Sequence, residues 1–191
     1  MLASASPRRL DLLRQIGISP DQVISPEIDE TPLKDESPGA YARRMAETKA
    51  RMASEDRGDC FILAADTVVV AGRSILPKAE SAAVARACLR RLSGRRHRVL
   101  GAVSLLTPTG AHHRRLVTTT VTFKRLHGAD VDDYLACGEW QGKAGGYAIQ
   151  GRAAAFVRFL SGSYTNVVGL PVFETWNLLA GAGYLRSGVG R

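Results

Sequence analysis

An aspartate interrupts an apolar, β-branched run, Phe61-Ile-Leu-Ala-Ala-Asp66-Thr67-Val-Val-Val70. An ionised carboxylate left unpaired in a buried strand would cost several kcal/mol, comparable to the whole margin by which a domain is stable. Asp66 therefore needs a cation, a metal or an array of donors. The plain alternative is a strand-end aspartate bonded to nearby backbone N–H groups. What tips the balance is the supply of cations in unusual places elsewhere. Lys49 falls at helical spacing on an apolar stripe of Tyr41, Met45 and Met52, where it must snorkel or meet an anion. Arg8 and Arg9 follow Ser4-Ala-Ser6-Pro7 in the first turn of a predicted helix, and Lys78 lies just before another. Cations at helix N-termini oppose the dipole, an arrangement tolerated when an anion is bound between them. The plain alternative is two solvated arginines, and it stays open for Arg9; Arg8, beside two hydroxyls and the helix end, is read as a phosphate contact.

Two further stretches carry candidate chemistry. Residues 26–37 are acidic and proline-punctuated, with Glu27, Asp29 and Glu30 close together. Such a stretch reads first as a solvated loop, although its carboxylates could supply an oxygen ligand to Mg²⁺ or Mn²⁺, which bind through one or two carboxylates plus substrate phosphates. The run Gly142-Lys143-Ala144-Gly145-Gly146-Tyr147-Ala148-Ile149-Gln150-Gly151 fits neither a P-loop nor a dinucleotide fingerprint. Its glycines would allow a ligand close to the backbone, and Gln150 could read an amide-like base edge; a glycine-rich turn without a ligand carries equal weight.

The elements that must position these groups follow from pattern. At 191 residues, 45% hydrophobic and 23% charged, the chain is long enough for one well-buried core, and no linker divides it. No apolar run approaches the length needed to span a bilayer, and the N-terminus lacks the pattern of a secretory signal. Cys60, Cys88 and Cys137 are scattered and cannot pair completely, which points to the cytoplasm and away from disulfide or thiol chemistry. A formal charge of +8 invites a nucleic-acid reading, but the arginines are spread along the chain. The densest group, Arg90, Arg91, Arg95, Arg96 and Arg98, brackets a helix end that favours cations anyway.

In chain order, Ser6 caps a helix with Leu10 and Leu13 inward, Ser37-Pro38 opens the helix bearing Lys49, and the Asp66 strand turns at Ala71-Gly72. A third helix has Ala82, Ala85, Leu89 and Leu92 inward. Strands over 99–106 and 116–126 form a hairpin, Asp130 caps a short helix, and Phe156–Leu160 and Tyr164–Val168 pair as strands. The last helix starts at Gly169-Leu170-Pro171 and stops at Gly181. Helices and strands alternate first and hairpins follow, which predicts a single mixed-sheet α/β domain over 1–191. The chain begins almost at its first motif, so either the strand leading into that motif is only a few residues long or the true start lies upstream.

Taken together, Ser4-x-Ser6-Pro7-Arg8-Arg9, Ala65-Asp66-Thr67-Val68, Leu92-Ser93-Gly94, Lys143-Ala144-Gly145-Gly146-Tyr147-x-Ile149-Gln150-Gly151 and Gly169-Leu170-Pro171 resemble the Maf family of nucleoside triphosphate pyrophosphatases. Each piece is weak, but the ordered set is highly specific. The resemblance implies a fold like that of inosine triphosphate pyrophosphatases, with a long mixed sheet and a cleft between two lobes. It also implies cleavage between the α- and β-phosphates with a divalent metal, Mg²⁺ or Mn²⁺. By position, Asp66 corresponds to the family's proton acceptor and Glu30 to an acidic residue of metal binding and catalysis. Arg8, Lys49 and Lys78 match phosphate-facing cations. Arg8, Thr67 and Gln150 match positions linked to substrate choice, and Ser4 and Arg9 belong to the same substrate-binding motif. The Ile-Gln-Gly form resembles the branch acting on dTTP and UTP, and another sequence stands there in the branch acting on 7-methyl-GTP. One departure is Pro77-Lys78-Ala79, where the family usually shows Lys-Pro.

The expected site thus has Glu30 and Asp66 as metal ligands, Asp66 as base, and cations neutralising the triphosphate. The rival substrates are 7-methyl-GTP and modified pyrimidine nucleotides. The rival class is a non-catalytic basic nucleic-acid-binding protein. No membrane and no specific nucleic acid is expected as a partner, and the resemblance is compatible with a homodimer.

Overall fold

The apolar run around Asp66 forms the longest strand of the first half of the chain, Ile62–Ala71, buried at every position except Thr67 and Ala71. The computed structural model describes residues 1–55 and 59–186. In order, the elements are β1 (Leu2–Ala3), α1 (Pro7–Gln15), β2 (Val23–Ile24), α2 (Pro38–Ser54), β3 (Ile62–Ala71), β4 (Ser74–Leu76), β5 (Lys78–Ala79), α3 (Ala82–Leu92), β6 (Arg96–Leu106), β7 (His112–Phe123), α4 (Gly128–Ala136), β8 (Lys143–Ala144), β9 (Val157–Ser161), α5 (Tyr164–Val168) and α6 (Val172–Gly181). Short 3₁₀ turns cover Arg152–Phe156 and Tyr184–Arg186. Seven strands share a sheet in the order β2-β1-β3-β6-β7-β9, with β4 paired to β3. β1 runs parallel to β2 and β3, whereas β3–β4 and β7–β9 are antiparallel. The protein is an α/β fold with a mixed sheet flanked by helices, as the alternation of elements predicts.

The chain divides into two compact units. The first comprises Met1–Asp66, Gly101–Val117 and the segment from Gly169 onward; the second comprises Thr67–Leu100 and Thr118–Val168. In the first, α2 lays Ala50 and Ala53 against Ala3, Ile62 and Ala64 of the sheet. Small residues on both sides let helix and sheet approach closely. In the second, a cluster of aromatic rings fills the interior: Phe123 meets His97, Tyr147 and Phe156 edge to face, with centroids 5.0, 4.9 and 6.0 Å apart.

Several local expectations change. Tyr164–Val168 is a helix rather than a strand, because Ser163 Oγ accepts from the Asn166 amide and starts a turn despite the β-branched residues that follow. β9 pairs with β7 instead. Met52 is 42% exposed, and the inner face of α2 is Ala42, Met45, Ala46, Lys49, Ala50 and Ala53. On α1 the buried residues are Arg9, Leu12 and Leu13, with Leu10 only half-buried. Ala82 is exposed, and Cys88 takes the inward place beside Ala85, Leu89 and Leu92. Asp130 caps α4 from inside the first turn, its carboxylate accepting from the His127 amide. Gly181 is the last residue of α6, and the left-handed turn beyond it falls at Gly183.

The glycine-rich segment is built for packing against the protein itself. A Cβ on Gly145 would lie 2.8 Å from Val69 Cγ1, and one on Gly146 would lie 3.0 Å from Ala85 Cα. Both residues also hold positive φ, +67° and +69°. Among the described residues no helix is long and apolar enough to cross a membrane.

Candidate active site

The parallel register of β1 on β3 builds the site. Leu2 stands opposite Leu63 and Ala3 opposite Ala64, so the chain leaving β1 through Ser4 continues beside the segment that carries Asp66. Just beyond, Ser6 and Pro7 start α1. The carboxyl end of a strand with a helix N-terminus next to it is a usual place for a ligand in open α/β sheets, and here β1 ends partway along β3.

Lys49 is the hub. Its Nζ lies 2.7 Å from Asp66 Oδ1 and 3.0 Å from Glu30 Oε1. Lys49 and Asp66 are only 9% and 6% exposed, which is sustainable because each charge is met by the other. The lysine on the apolar stripe thus meets an anion rather than snorkelling, and the acidic loop supplies Glu30 to the same ammonium.

Glu30 reaches this point because its loop is tied to α2. Tyr41 Oη donates to the Glu30 carbonyl at 2.9 Å. Arg44 holds both oxygens of Glu36, with Nε 2.7 Å from Oε1 and Nη2 2.6 Å from Oε2, and Nη2 also donates to the Thr31 carbonyl at 3.0 Å. Burial, reinforced by the charges of Asp66 and Glu30, pushes the Tyr41 phenol up to about 12, so its proton is retained as a donor at neutral pH. The fork on Glu36 holds Arg44 charged and keeps the Glu36 carboxyl below its usual range.

Arg9 departs from the solvated reading: it is 9% exposed. Its Nε donates to the Gly169 carbonyl at 2.8 Å and its Nη1 to Ser4 Oγ at 2.8 Å. Burial pushes its guanidinium down, opposed by the charges of Asp66 and Glu30, and Arg8 adds repulsion. Those influences place Arg8, Arg9, Glu30 and Asp66 in one electrostatic neighbourhood, and the arginines stay cationic at any working pH. Arg8 is half-buried and lowered by burial alone. Ser6 makes no side-chain cap to α1, and its buried hydroxyl has no hydrogen-bond partner. An orphaned hydroxyl at an uncapped helix start suits an incoming anion.

The remaining candidates belong to the second unit. Thr67 is half-buried on β3, and Lys78 is exposed on β5, which pairs with β8 through Lys78 opposite Ala144. Gln150 is exposed on a turn fixed at both ends. Tyr134 Oη accepts from the Ala148 amide at 3.0 Å, and Glu139 Oε2 accepts from the Arg152 amide at 2.7 Å. A Cβ on Gly151 would lie 2.0 Å from Glu139 Oε2, so the glycine after Gln150 makes room for that carboxylate.

Among the described residues no group of three or more His, Cys, Asp and Glu side chains could hold a metal. Glu30 and Asp66, two hard oxygen donors meeting at one ammonium, do fit an ion that draws its other ligands from substrate phosphate and water. Sequence reasoning missed the Tyr41 and Arg44 tethers and Glu139. Tyr41 was absorbed into an apolar stripe, and the spacing of Glu36 from Arg44 across a helix start carries no recognisable signature.

Residues 1–182 match the Maf-like protein family, and the chain belongs to it. It is 59% identical over 184 residues to a dTTP/UTP pyrophosphatase of Rhodospirillum rubrum, covering 96% of this chain and 88% of that one. It is 60% identical to a dTTP/UTP pyrophosphatase of Paramagnetospirillum magneticum, covering 96% and 97%, and 56% identical to one of Caulobacter vibrioides, covering 96% and 95%. Among solved structures it aligns with a nucleoside-triphosphatase / dITP/XTP pyrophosphatase from Mycobacterium abscessus at 18% identity and a TM-score of 0.42, over 97% of this chain and 95% of that one.

Proposed function

We propose that this chain hydrolyses dTTP and UTP to the nucleoside monophosphate and pyrophosphate. The observation that carries the reading is the Lys49 ammonium shared by Asp66 and Glu30, two carboxylates whose charges also act on the buried Arg9. Membership of the Maf family and dTTP/UTP pyrophosphatase relatives at 56–60% identity support it.

In this mechanism the triphosphate enters at the start of α1, where Arg8 and the Ser6 hydroxyl meet phosphate oxygens. Arg9 shapes that entrance by holding Ser4 and the Gly169 carbonyl. Lys49 engages Asp66 Oδ1, and the other carboxylate oxygen takes the proton from the water that attacks the α-phosphorus. The bond from phosphorus to the bridging oxygen breaks, and pyrophosphate departs with the electron pair. Lys49 and Arg8 offset the charge that develops on it, and Lys78, exposed on β5 of the second unit, is the further phosphate-facing candidate. Glu30 and Asp66 would hold Mg²⁺ or Mn²⁺, which when bound neutralises phosphate oxygens and polarises the reacting centre. Gln150 reads the base, on a turn that Tyr134 and Glu139 hold in place. The proposed location is the cytoplasm, in keeping with three free cysteines.

The test is a panel of dTTP, UTP, CTP, 7-methyl-GTP and the purine triphosphates, scored by pyrophosphate release with and without Mg²⁺ or Mn²⁺. Release from dTTP and UTP ahead of the others, lost on chelation, is expected. Preference for 7-methyl-GTP would overturn the substrate assignment, and no release from any nucleotide would overturn the enzyme class.

A further inference from the structure

The excess positive charge has a structural location that triphosphate hydrolysis does not use. The chain carries 26 Lys and Arg against 18 Asp and Glu. In the second unit, Arg90, Arg91, Arg95, Arg96, Arg98 and Arg125 are all exposed, and none forms an ion pair among the described residues.

Backbone geometry draws them to one place. Arg90 and Arg91 occupy the last turn of α3. The chain then reverses at Gly94, whose φ is +66° and whose amide donates to the Lys124 carbonyl at 2.9 Å. A Cβ on Gly94 would lie 3.8 Å from Arg125 Cα, so Arg125 stands against the reversal itself. Ser93 Oγ accepts from the Leu126 amide at 2.8 Å, and the Arg95 carbonyl accepts from the Phe123 amide at 3.0 Å, fastening the same two segments. Along β6 the alternation turns His97 and Val99 inward and leaves Arg96 and Arg98 on the outer face. Arg98 Nη2 reaches the Gly72 carbonyl at 3.2 Å, which brings the β3–β4 turn and its exposed Arg73 to the edge of the group.

The helix dipole accounts for Arg90 and Arg91 but not for cations on a strand and on the chain leaving β7. On α4, Asp130 pairs with Lys124 at 2.9 Å and Asp132 with Arg86 at 2.6 Å. A surface that keeps its guanidinium groups together and unneutralised is built to release counterions onto a polyanion. No aromatic side chain belongs to the group, so it has no platform on which unpaired bases could stack. Nor has it the exposed apolar face that would seat in a bilayer interface.

We propose that this arginine surface binds the phosphate backbone of a nucleic-acid duplex, without reading its sequence, as a second property of the protein beside hydrolysis. The test is fluorescence anisotropy with the full chain and short labelled duplexes of DNA and of RNA, over about 50–200 mM salt. Binding should weaken with a log–log slope near −0.9 for each phosphate neutralised, or about −4 for four or five contacts. The Arg95→Gln/Arg96→Gln/Arg98→Gln variant should flatten that slope by about 2 to 3 and keep the parental rate on dTTP. Tighter binding of the DNA or of the RNA duplex identifies the source. No duplex binding at low salt, a slope unchanged in the variant, or tighter binding to single strands or to anionic phospholipid vesicles would each overturn the assignment.

Discussion

Lys49 Nζ lies 2.7 Å from Asp66 Oδ1, a pairing that joins the buried face of a helix to the middle of a buried strand. Breaking such a pair by deleting one partner leaves an uncompensated charge in the interior, at about 3–5 kcal/mol. Lys49→Met should therefore lower the unfolding free energy by about 3 kcal/mol. Lys49→Met/Asp66→Asn should recover part of that loss, because the second change removes the stranded charge. Urea denaturation of these two variants and of Asp66→Asn alone measures the coupling. Strictly additive losses would mean that the two groups do not sense each other.

Glu30 depends on the tether behind it. Tyr41→Phe deletes one hydroxyl that donates to the Glu30 carbonyl and leaves the ring in place. A hydrogen bond of this kind contributes about 1 kcal/mol, so kcat on dTTP should fall about fivefold with KM nearly unchanged. Arg44→Met removes the fork on Glu36 and the bond to Thr31 and should have the larger effect. Tyr41→Phe turnover equal to the parent would show that Glu30 is placed by other contacts.

The position of Gln150 rests on space rather than on backbone conformation. Gly151 has a φ of −105°, open to any residue, yet a Cβ there would strike Glu139 Oε2. Gly151→Ala should displace that carboxylate from the Arg152 amide and raise KM for dTTP about tenfold, equivalent to about 1.4 kcal/mol of binding. Adding Glu139→Ala should relieve the clash and restore the melting temperature without restoring KM. A Gly151→Ala enzyme with parental KM would separate this turn from base recognition.

His97 makes stability depend on pH. Its ring is buried, with Nε2 2.8 Å from the Tyr147 hydroxyl, and burial pushes its pKa from 6.5 down to about 4. Between those values the unfolded chain binds the proton and the folded chain does not. Stability is therefore fully present above about pH 6.5 and falls by about 1.4 kcal/mol per unit as pH drops, levelling off near pH 4. Imidazole chemical shifts followed by NMR should show His97 neutral at pH 5. A transition near pH 6.5 would contradict the burial account.

The parts of the site that break a local rule were legible in the sequence. A carboxylate inside an apolar strand and a lysine on an apolar helix stripe each announce a missing partner, and Asp66 and Lys49 prove to be each other's. The burial of Arg9 was not legible because its partners, the Gly169 carbonyl and Ser4 Oγ, leave no trace in residue type. One is a backbone oxygen 160 positions away. The same limit explains Tyr164–Val168, where β-branched residues read as strand but the Ser163 cap starts a helix. It also explains Gly145 and Gly146, whose neighbours turn out to be Val69 and Ala85. The α/β class was legible because it follows from periodicity alone.

Asp66→Asn tests the central claim most directly, since it keeps the volume and removes the negative charge and the proton acceptor. Pyrophosphate release from dTTP at saturating Mg²⁺, measured alongside nucleotide binding by calorimetry, should fall by about a hundredfold or more while binding remains measurable. Release at the parental rate would contradict Asp66 as the acceptor and remove the chemical basis of the site.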